Sequence, residues 1–287
     1  MRTVAVIGAG ISGLAASWLL SRRYRILLFE KDDRLGGHTH TVVVGGQNGP
    51  LPLDTGFLVH NERTYPNLVR LFRELGVETR DSDMSFGVSC RRTGLEYSSR
   101  GLTGFFAQPS NLLSPRHLHL LREIVRFNRE APALLTDNEN GPTLGEFLES
   151  RRFGEVFTDS YLLPMASAIW STALAEIRRF PAATLVRFFH NHGLLTLTAQ
   201  PTWKVVVGGS HVYVPRLVSP LADSVYRGVT ITAVSRTSTG VTITFVRRPS
   251  VHVDEVVFAC HGDQVLPLLS DPSDAEREVL GRFRTTT

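Results

Sequence analysis

The chain has 287 residues, 42% apolar and 20% charged, enough to bury one large core or two smaller ones. Its 31 Lys and Arg against 27 Asp and Glu leave a formal net charge of +4, and lysine occurs only at Lys31 and Lys204. This composition excludes a disordered or low-complexity chain, and two cysteines in no CxxC pattern exclude a disulfide framework or a cysteine zinc site and suit a reducing cytoplasm.

The arginines are scattered. They read either as codon bias or as a surface for phosphates and acidic lipid headgroups, which would allow a peripheral membrane contact. The apolar start is no signal peptide, because three glycines interrupt it and Arg22 and Arg23 stand where a cleavage site belongs. No stretch reaches the roughly 18 apolar residues of a membrane span.

In chain order, "TVAVI" (Thr3 to Ile7) is a continuous β-branched run, as in a strand buried on both faces of a parallel sheet. Gly8, Gly10 and Gly13 follow. Ile11, Leu14, Ala15, Trp18 and Leu19 then recur at helical spacing, which predicts a helix with these residues inward. A second apolar run, "RILLF" (Arg25 to Phe29), ends in Glu30. Strand, glycine turn, helix, strand and acid together form a dinucleotide fingerprint, whereas GxGxxG alone is weak. Gly8 allows the tight turn, Gly10 lets the backbone approach a pyrophosphate, and Gly13 lets helix and strand pack closely. The free N–H groups of the first helical turn face the phosphate charge, with Ser12 as an added hydroxyl donor. Glu30 stands where a carboxylate accepts from both ribose hydroxyls, and it would repel the 2′-phosphate of an NADP-type ligand.

Just after the acid comes "EKDDRLGGHTHT" (Glu30 to Thr41). With this segment the chain resembles the FAD-binding entry of the flavin-containing amine oxidase and phytoene desaturase superfamily. The resemblance implies an α/β fold: a Rossmann-like FAD-binding domain, a parallel sheet with a β-meander, plus a mainly helical substrate-domain insertion. It implies that Arg34, Gly36 and Gly37 lie along the FAD pyrophosphate and ribose, with His38 and Thr39 beside them. The superfamily often carries Arg where this chain has His38, so that phosphate contact is weakened or becomes pH-dependent. "LDTGF" (Leu53 to Phe57) resembles the turn beside the isoalloxazine ring, which makes Gly56 and Phe57 candidates; by itself it reads as an ordinary hairpin exit.

"TYPNLVRLFRELG" predicts a helix with Leu68, Leu71, Phe72 and Leu75 inward and Gly76 as its stop. "SPRHLHLLREIVRFNREAP" predicts another, with Leu120, Leu121, Ile124 and Val125 inward. Helical patterns continue through "TLGEFLESRRFGEVF" and "FPAATLVRFFHNHGLL". "WKVVVGGSHVYVPRLVSPLAD" brings a strand and a Gly–Gly pair before a helix. "VTITAVSRTSTGVTITFV" alternates as a hairpin, and "VDEVVFAC" reads as a buried strand. By resemblance the first hairpin strand offers Val234 to the adenine side of FAD. The expected organisation is an FAD-binding domain at 1–60 and 202–272, a substrate-binding insertion at 61–201, and a further segment at 273–287. That last segment contains a helix, "PSDAEREVLGRF", and the start of a strand, "RTTT", as in a C-terminally truncated family member.

Other chemistry finds little support. His38/His40, His117/His119 and His190/His192 form three HxH pairs, but no carboxylate or cysteine completes a metal site. His190, Asn191 and His192 read as a polar helix end or as a substrate-facing group. Trp170 and Trp203 read as core or as walls of a flavin pocket. "GGS" lacks the nucleophile elbow, and the basic residues are not interleaved with aromatics as nucleic-acid binding requires. No second glycine fingerprint is present for a nicotinamide, and no catalytic base is identified.

The resemblance therefore implies an FAD-dependent oxidoreductase removing a hydride from a C–H or C–N bond of an amine. "NERTYPNL", "FHNHGLL" and "ACH" resemble a bacterial subgroup linked to fatty-acyl modification, which adds a lipid-like substrate class. The alternative is a catalytically silent Rossmann protein serving as a nucleotide-binding or interaction module.

Overall fold

The architecture is that of a computed structural model, which describes residues 1–47, 49–91, 93–136, 141–196 and 201–283. The expected strand start at 284–287 lies outside the described residues. The chain divides into two compact units. The first comprises Met1–His60, Asn67–Arg80 and Lys204–Thr287, and the second Asn61–Pro66 and Asp81–Trp203.

In the first unit, β1 (Thr3–Ile7), α1 (Ile11–Leu20), β2 (Arg25–Phe29), β3 (Val225–Tyr226), β4 (Glu255–Phe258) and α2 (Gly262–Leu268) form the part that carries the glycine turn. The sheet runs β4-β1-β2-β3 with every neighbouring pair parallel. Alternation along β1 explains its composition, because both faces are covered. Val4 and Val6 pack with Leu14, Ile26, Leu28, Leu217 and Tyr213 on one side. Ala5 packs with Leu27, Phe29, Ile243, Phe245 and Val253 on the other. The latter three belong to an antiparallel meander of Ile231–Thr237, Gly240–Phe245 and Arg248–Val253.

The α1 face differs from the periodicity expectation. Gly13, Leu14 and Ser17 are buried, while Leu19 is 51% exposed. The small residues face the strand because the helix approaches too closely for larger ones, and this turns Leu19 outward. A separate hairpin, Thr41–Gly46 with Gly49–Asp54, carries exposed Val43 and Leu51.

Two boundaries also shift. Residues 67–80, expected in the insertion, belong to the first unit: Phe72 is 3% exposed and packs its ring 5.0 Å from Tyr213 and 5.2 Å from His60. The helix Asp274–Leu280 also belongs there, begins with a Ser273/Glu276 capping box, and is tied by Glu276 to Arg236 on the meander.

The second unit is helical around an aromatic-rich core of Phe127, Phe147, Phe157, Leu162, Leu185 and Phe189. Each such side chain, fully buried, contributes about 1.5–3 kcal/mol. Ser114 caps the helix Pro115–Glu130 by accepting from the His117 N–H. Its inward face is His117, Leu120, Glu123, Ile124 and Phe127. Val125, expected inside, is 47% exposed because the stripe advances by three and four from Leu120 through Glu123 and Ile124. Glu123 is tolerated at 2% exposure because it accepts the Gly154 N–H at 2.9 Å and lies 3.4 Å from His119. A short hairpin, Gly87–Cys90 with Leu95–Ser98, adds strand to the helical block.

Candidate functional site

The glycine turn is assembled by backbone contacts that only glycine permits. Gly8 has φ +101°, and its N–H donates to the Phe29 carbonyl at 2.8 Å, which holds the turn between β1 and β2. A Cβ on Gly13 would fall 1.8 Å from the Gly8 carbonyl oxygen, so no side chain fits where α1 crosses the turn. Gly10 differs: a Cβ there would meet nothing within 4 Å. Gly10 is the N-cap residue of α1, and neither a side-chain cap nor an acidic residue occupies that first turn. The helix thus presents its N–H groups and positive dipole end to open space at Gly10, the one of the three fingerprint glycines whose Cβ would meet no neighbour.

Glu30, at the end of β2, bends back to this turn. Its carboxylate accepts the Ala9 N–H at 2.6 Å and the Asp32 N–H at 3.0 Å. Each oxygen keeps lone-pair capacity for a further donor. Beside it lies a cavity of about 370 Å³ lined by Gly8, Phe29, Glu30, Lys31, Val229, Thr230, Ile231, Cys260, Asp263 and Leu268, among others. Burial pushes the Cys260 thiol up, with Asp263 and Glu30 adding to that rise.

The Arg34–Thr39 segment runs along the same turn. The Gly36 N–H donates to the Ala9 carbonyl at 2.8 Å, and a Cβ on Gly37 would stand 3.0 Å from the Gly10 Cα. Gly36 and Gly37 hold φ of +109° and +56°, which explains the glycine pair. Arg34 folds back to donate to the Gly37 carbonyl at 2.8 Å and so braces the loop. Thr39 is 2% exposed and shares a 2.9 Å hydrogen bond with the Tyr213 hydroxyl, which burial pushes up. Its side chain supports the loop from behind. The "LDTGF" turn locks onto the same strip: a Cβ on Gly56 would meet the His38 carbonyl oxygen at 2.2 Å, and the Phe57 N–H donates to that oxygen at 3.0 Å.

The fold therefore brings Gly8, Gly10, Gly13, Glu30, Gly36, Gly37, His38, Gly56 and Phe57 onto one continuous backbone surface, with Ser12 exposed in the first turn of α1. Val234 stands apart. It is 1% exposed, pairs with Ile243, and its carbonyl accepts the Ser270 N–H at 3.0 Å. The chain around it reaches the cavity instead at Val229, Thr230 and Ile231. Its carbonyl is thus engaged within the unit.

Sequence reasoning missed two further features. Asp54 accepts from the Ser210 N–H and hydroxyl, both at 2.8 Å, and from the Thr41 hydroxyl at 2.5 Å, so the hairpin is latched to the Gly–Gly segment. His261 places its ring parallel to His38, centroids 5.9 Å apart. The signal for both lay in "GGS" and "ACH", short polar insertions after apolar strands.

In the second unit His192 lies against Phe188, ring centroids 3.9 Å apart, and Trp203, 6.1 Å, with Tyr65 hydrogen-bonded to its Nε2 at 3.3 Å. Trp170 packs against Phe180 and Phe188 as core. A smaller cavity of about 220 Å³ in this unit is lined by Gln108, Asn111, Arg116 and His117 among others, and by none of the expected cofactor residues. Among the described residues, no three His, Cys, Asp or Glu side chains group as a metal site, and no helix is long and apolar enough to cross a membrane.

The donor set suits a dinucleotide: bare helix-start amides for a diphosphate, an acid for ribose hydroxyls, and a mixed cavity for a base. Comparison with known proteins agrees. The chain is 28% identical over 241 residues to coproporphyrinogen III oxidase of Mycobacterium leprae (strain TN), covering 76% of this chain and 50% of that protein. It thus spans about half the length of that curated relative. The fold matches putrescine oxidase, wild type bound to putrescine, with a TM-score of 0.72 at 19% identity, over 98% of this chain and 63% of that one. It also matches a CLA-producing fatty acid isomerase from P. acnes, with a TM-score of 0.64 at 17% identity, over 98% and 64%. The sequence pattern of the flavin containing amine oxidoreductases runs through residues 11–283, and the chain belongs to that family, whose cofactor is FAD.

Proposed function

We propose that this chain is the FAD-binding and substrate-domain part of an oxidoreductase that removes a hydride from a C–H or C–N bond of an amine or of a lipid-like, fatty-acyl substrate. The observation that carries this reading is the open space over Gly10 beside the Glu30-lined cavity. The residues fit the cofactor. The N–H groups at the start of α1, with the Ser12 hydroxyl, would hold the diphosphate against Gly8, Gly10 and Gly13. Glu30 would accept from the ribose hydroxyls while its bonds to Ala9 and Asp32 keep it aimed. Gly36, Gly37 and His38 would border the diphosphate, with Arg34 and Thr39 fixing that loop and Val234 fixing the meander behind the adenosine. Gly56 and Phe57 would flank the isoalloxazine ring, and the Phe57 side chain would exclude water there. When bound, FAD supplies the hydride-accepting chemistry and is reoxidised by oxygen or another acceptor.

Two substrate classes stay in play because putrescine oxidase and the fatty acid isomerase share the fold. An acyl substrate would be approached at a peripheral membrane surface in the cytoplasm, with the scattered arginines facing acidic headgroups. The test is direct. The purified chain should carry or take up FAD, and flavin bleaching under anaerobic conditions should follow addition of one class, amines or fatty-acyl compounds. FAD binding with no bleaching by either class would favour the nucleotide-binding module. Absence of FAD binding would overturn the proposal.

A further inference from the structure

Two imidazoles flank the glycine turn, and neither is needed to build it. His38 follows Gly37, on which a Cβ would stand 3.0 Å from the Gly10 Cα. His261 follows β4 and Cys260, and the Gly8 turn is pressed against Ala259 and Cys260: a Cβ on Gly8 would come within 2.7 Å of the Ala259 carbonyl oxygen. The two rings belong to segments packed on the Gly8–Gly10 turn and stand nearly parallel, at 8°, with centroids 5.9 Å apart. Both side chains are exposed.

An anion beside both rings would give each imidazole a charged hydrogen-bond partner. The charged and titratable groups facing this surface are Glu30 and Lys31 at the end of β2, Arg34 on the His38 loop, His40 on the hairpin that follows, and Cys260 and Asp263 flanking His261. Arg34 is engaged with the Gly37 carbonyl, and the Glu30 carboxylate with the Ala9 and Asp32 amides. The exposed histidines are therefore the groups placed to change charge with the diphosphate.

We infer that His38 and His261 form a paired clamp on the dinucleotide's diphosphate, one that takes up a proton when the diphosphate binds. His261 is thereby a cofactor-binding residue. This rests on the dinucleotide reading above. The pair makes binding tighter as pH falls through the range in which imidazole titrates.

ADP-ribose is the appropriate probe. It carries the diphosphate without a flavin, and its phosphodiester groups keep a constant charge between pH 6 and 8. Adenosine, which lacks the diphosphate, is the control. Calorimetric titration of the full chain in buffers of different ionisation enthalpy should show net proton uptake with ADP-ribose near pH 7 and none with adenosine. Affinity for ADP-ribose should be about fivefold higher at pH 6 than at pH 8. His261→Gln and His38→Gln should each diminish the uptake and weaken the pH dependence, and the double variant should abolish both, while the thermal midpoint stays in place. His38→Arg, with His261→Gln, should restore tight binding that no longer depends on pH. The uptake measurement on the unmodified chain needs no variant. ADP-ribose binding without proton uptake, or uptake undiminished in His261→Gln, would overturn the clamp and leave the dinucleotide reading intact. Failure to bind either adenosine or ADP-ribose at any pH would overturn both.

Discussion

Gly10 and Gly13 lie three residues apart on one helix start, yet alanine should have opposite consequences at the two. At Gly13 the new Cβ falls 1.8 Å from the Gly8 carbonyl oxygen and 3.2 Å from the Ala259 Cβ. Both neighbours are held by the sheet, so no rotamer relieves the clash, and α1 must move by about 1 Å. Overpacking of this kind costs roughly 1–3 kcal/mol, and an unyielding backbone neighbour places it near the upper end, about 3 kcal/mol. For a body of this size that lowers Tm by about 6–12 °C. At Gly10 the backbone is φ −68°, ψ 179°, which alanine adopts freely, and the Cβ meets nothing. Stability should change by less than about 0.5 kcal/mol. The methyl group fills the space assigned to the diphosphate, and losing two charge-assisted N–H bonds there costs about 3 kcal/mol or roughly 100-fold in Kd. Thermal melts followed by circular dichroism, together with FAD titration by flavin fluorescence, separate the two effects. A Gly10→Ala variant that melts like the parent and binds FAD equally well would refute the assignment of that space. A Gly13→Ala variant with unchanged Tm would refute the packing argument.

Glu30→Gln keeps an acceptor for the Ala9 N–H but loses the charge, and should weaken ADP-ribose binding about tenfold; an unchanged Kd would remove Glu30 from the ribose site. The Glu276 carboxyl is held down to about 2 by Arg236 first, then by Ser273. A lowered carboxyl stabilises the folded state above the ordinary carboxylate range and loses that contribution as pH falls toward about 2, so amide exchange across Asp274–Leu280, taken relative to the intrinsic rate at each pH, should accelerate below about pH 4.5. Arg236→Gln should make that exchange fast already at neutral pH, and an acid response identical to the parent's would contradict the tether. Burial pushes the Cys260 thiol up, so alkylation by iodoacetamide at pH 8 should be slower than that of a free thiol. ADP-ribose should slow it further because Cys260 lines the cavity, and labelling indifferent to ADP-ribose would place the adenosine elsewhere.

The parts of this molecule legible in the sequence are those whose causes are local. "TVAVI", the three glycines, "RILLF" and Glu30 encode a strand, a turn, a helix start and an acid within thirty residues, and the fold brings them together as that spacing demands. Positions that depend on partners distant in sequence were harder to place. Leu19 shares the helical period of the apolar residues, but the close approach set by Gly13 decides which face turns inward. Phe72 lies in a helix that sequence pattern assigns to the insertion, and its packing on Tyr213 and His60 goes with the first unit. Val234 lies on the expected strand, but its carbonyl meets the Ser270 amide, a contact no local pattern signals. His261 carried no periodic signal at all, since its role arises from a ring 223 positions earlier in the chain, at His38.

The central claim is that bare amides at the start of α1 and the Glu30 carboxylate hold an FAD. Titrating the purified chain with FAD, with ADP-ribose as competitor, tests it most directly. The account predicts one saturable site with quenched flavin fluorescence, a raised Tm, and displacement by ADP-ribose. A folded chain whose Tm and flavin signal do not respond to FAD would contradict it.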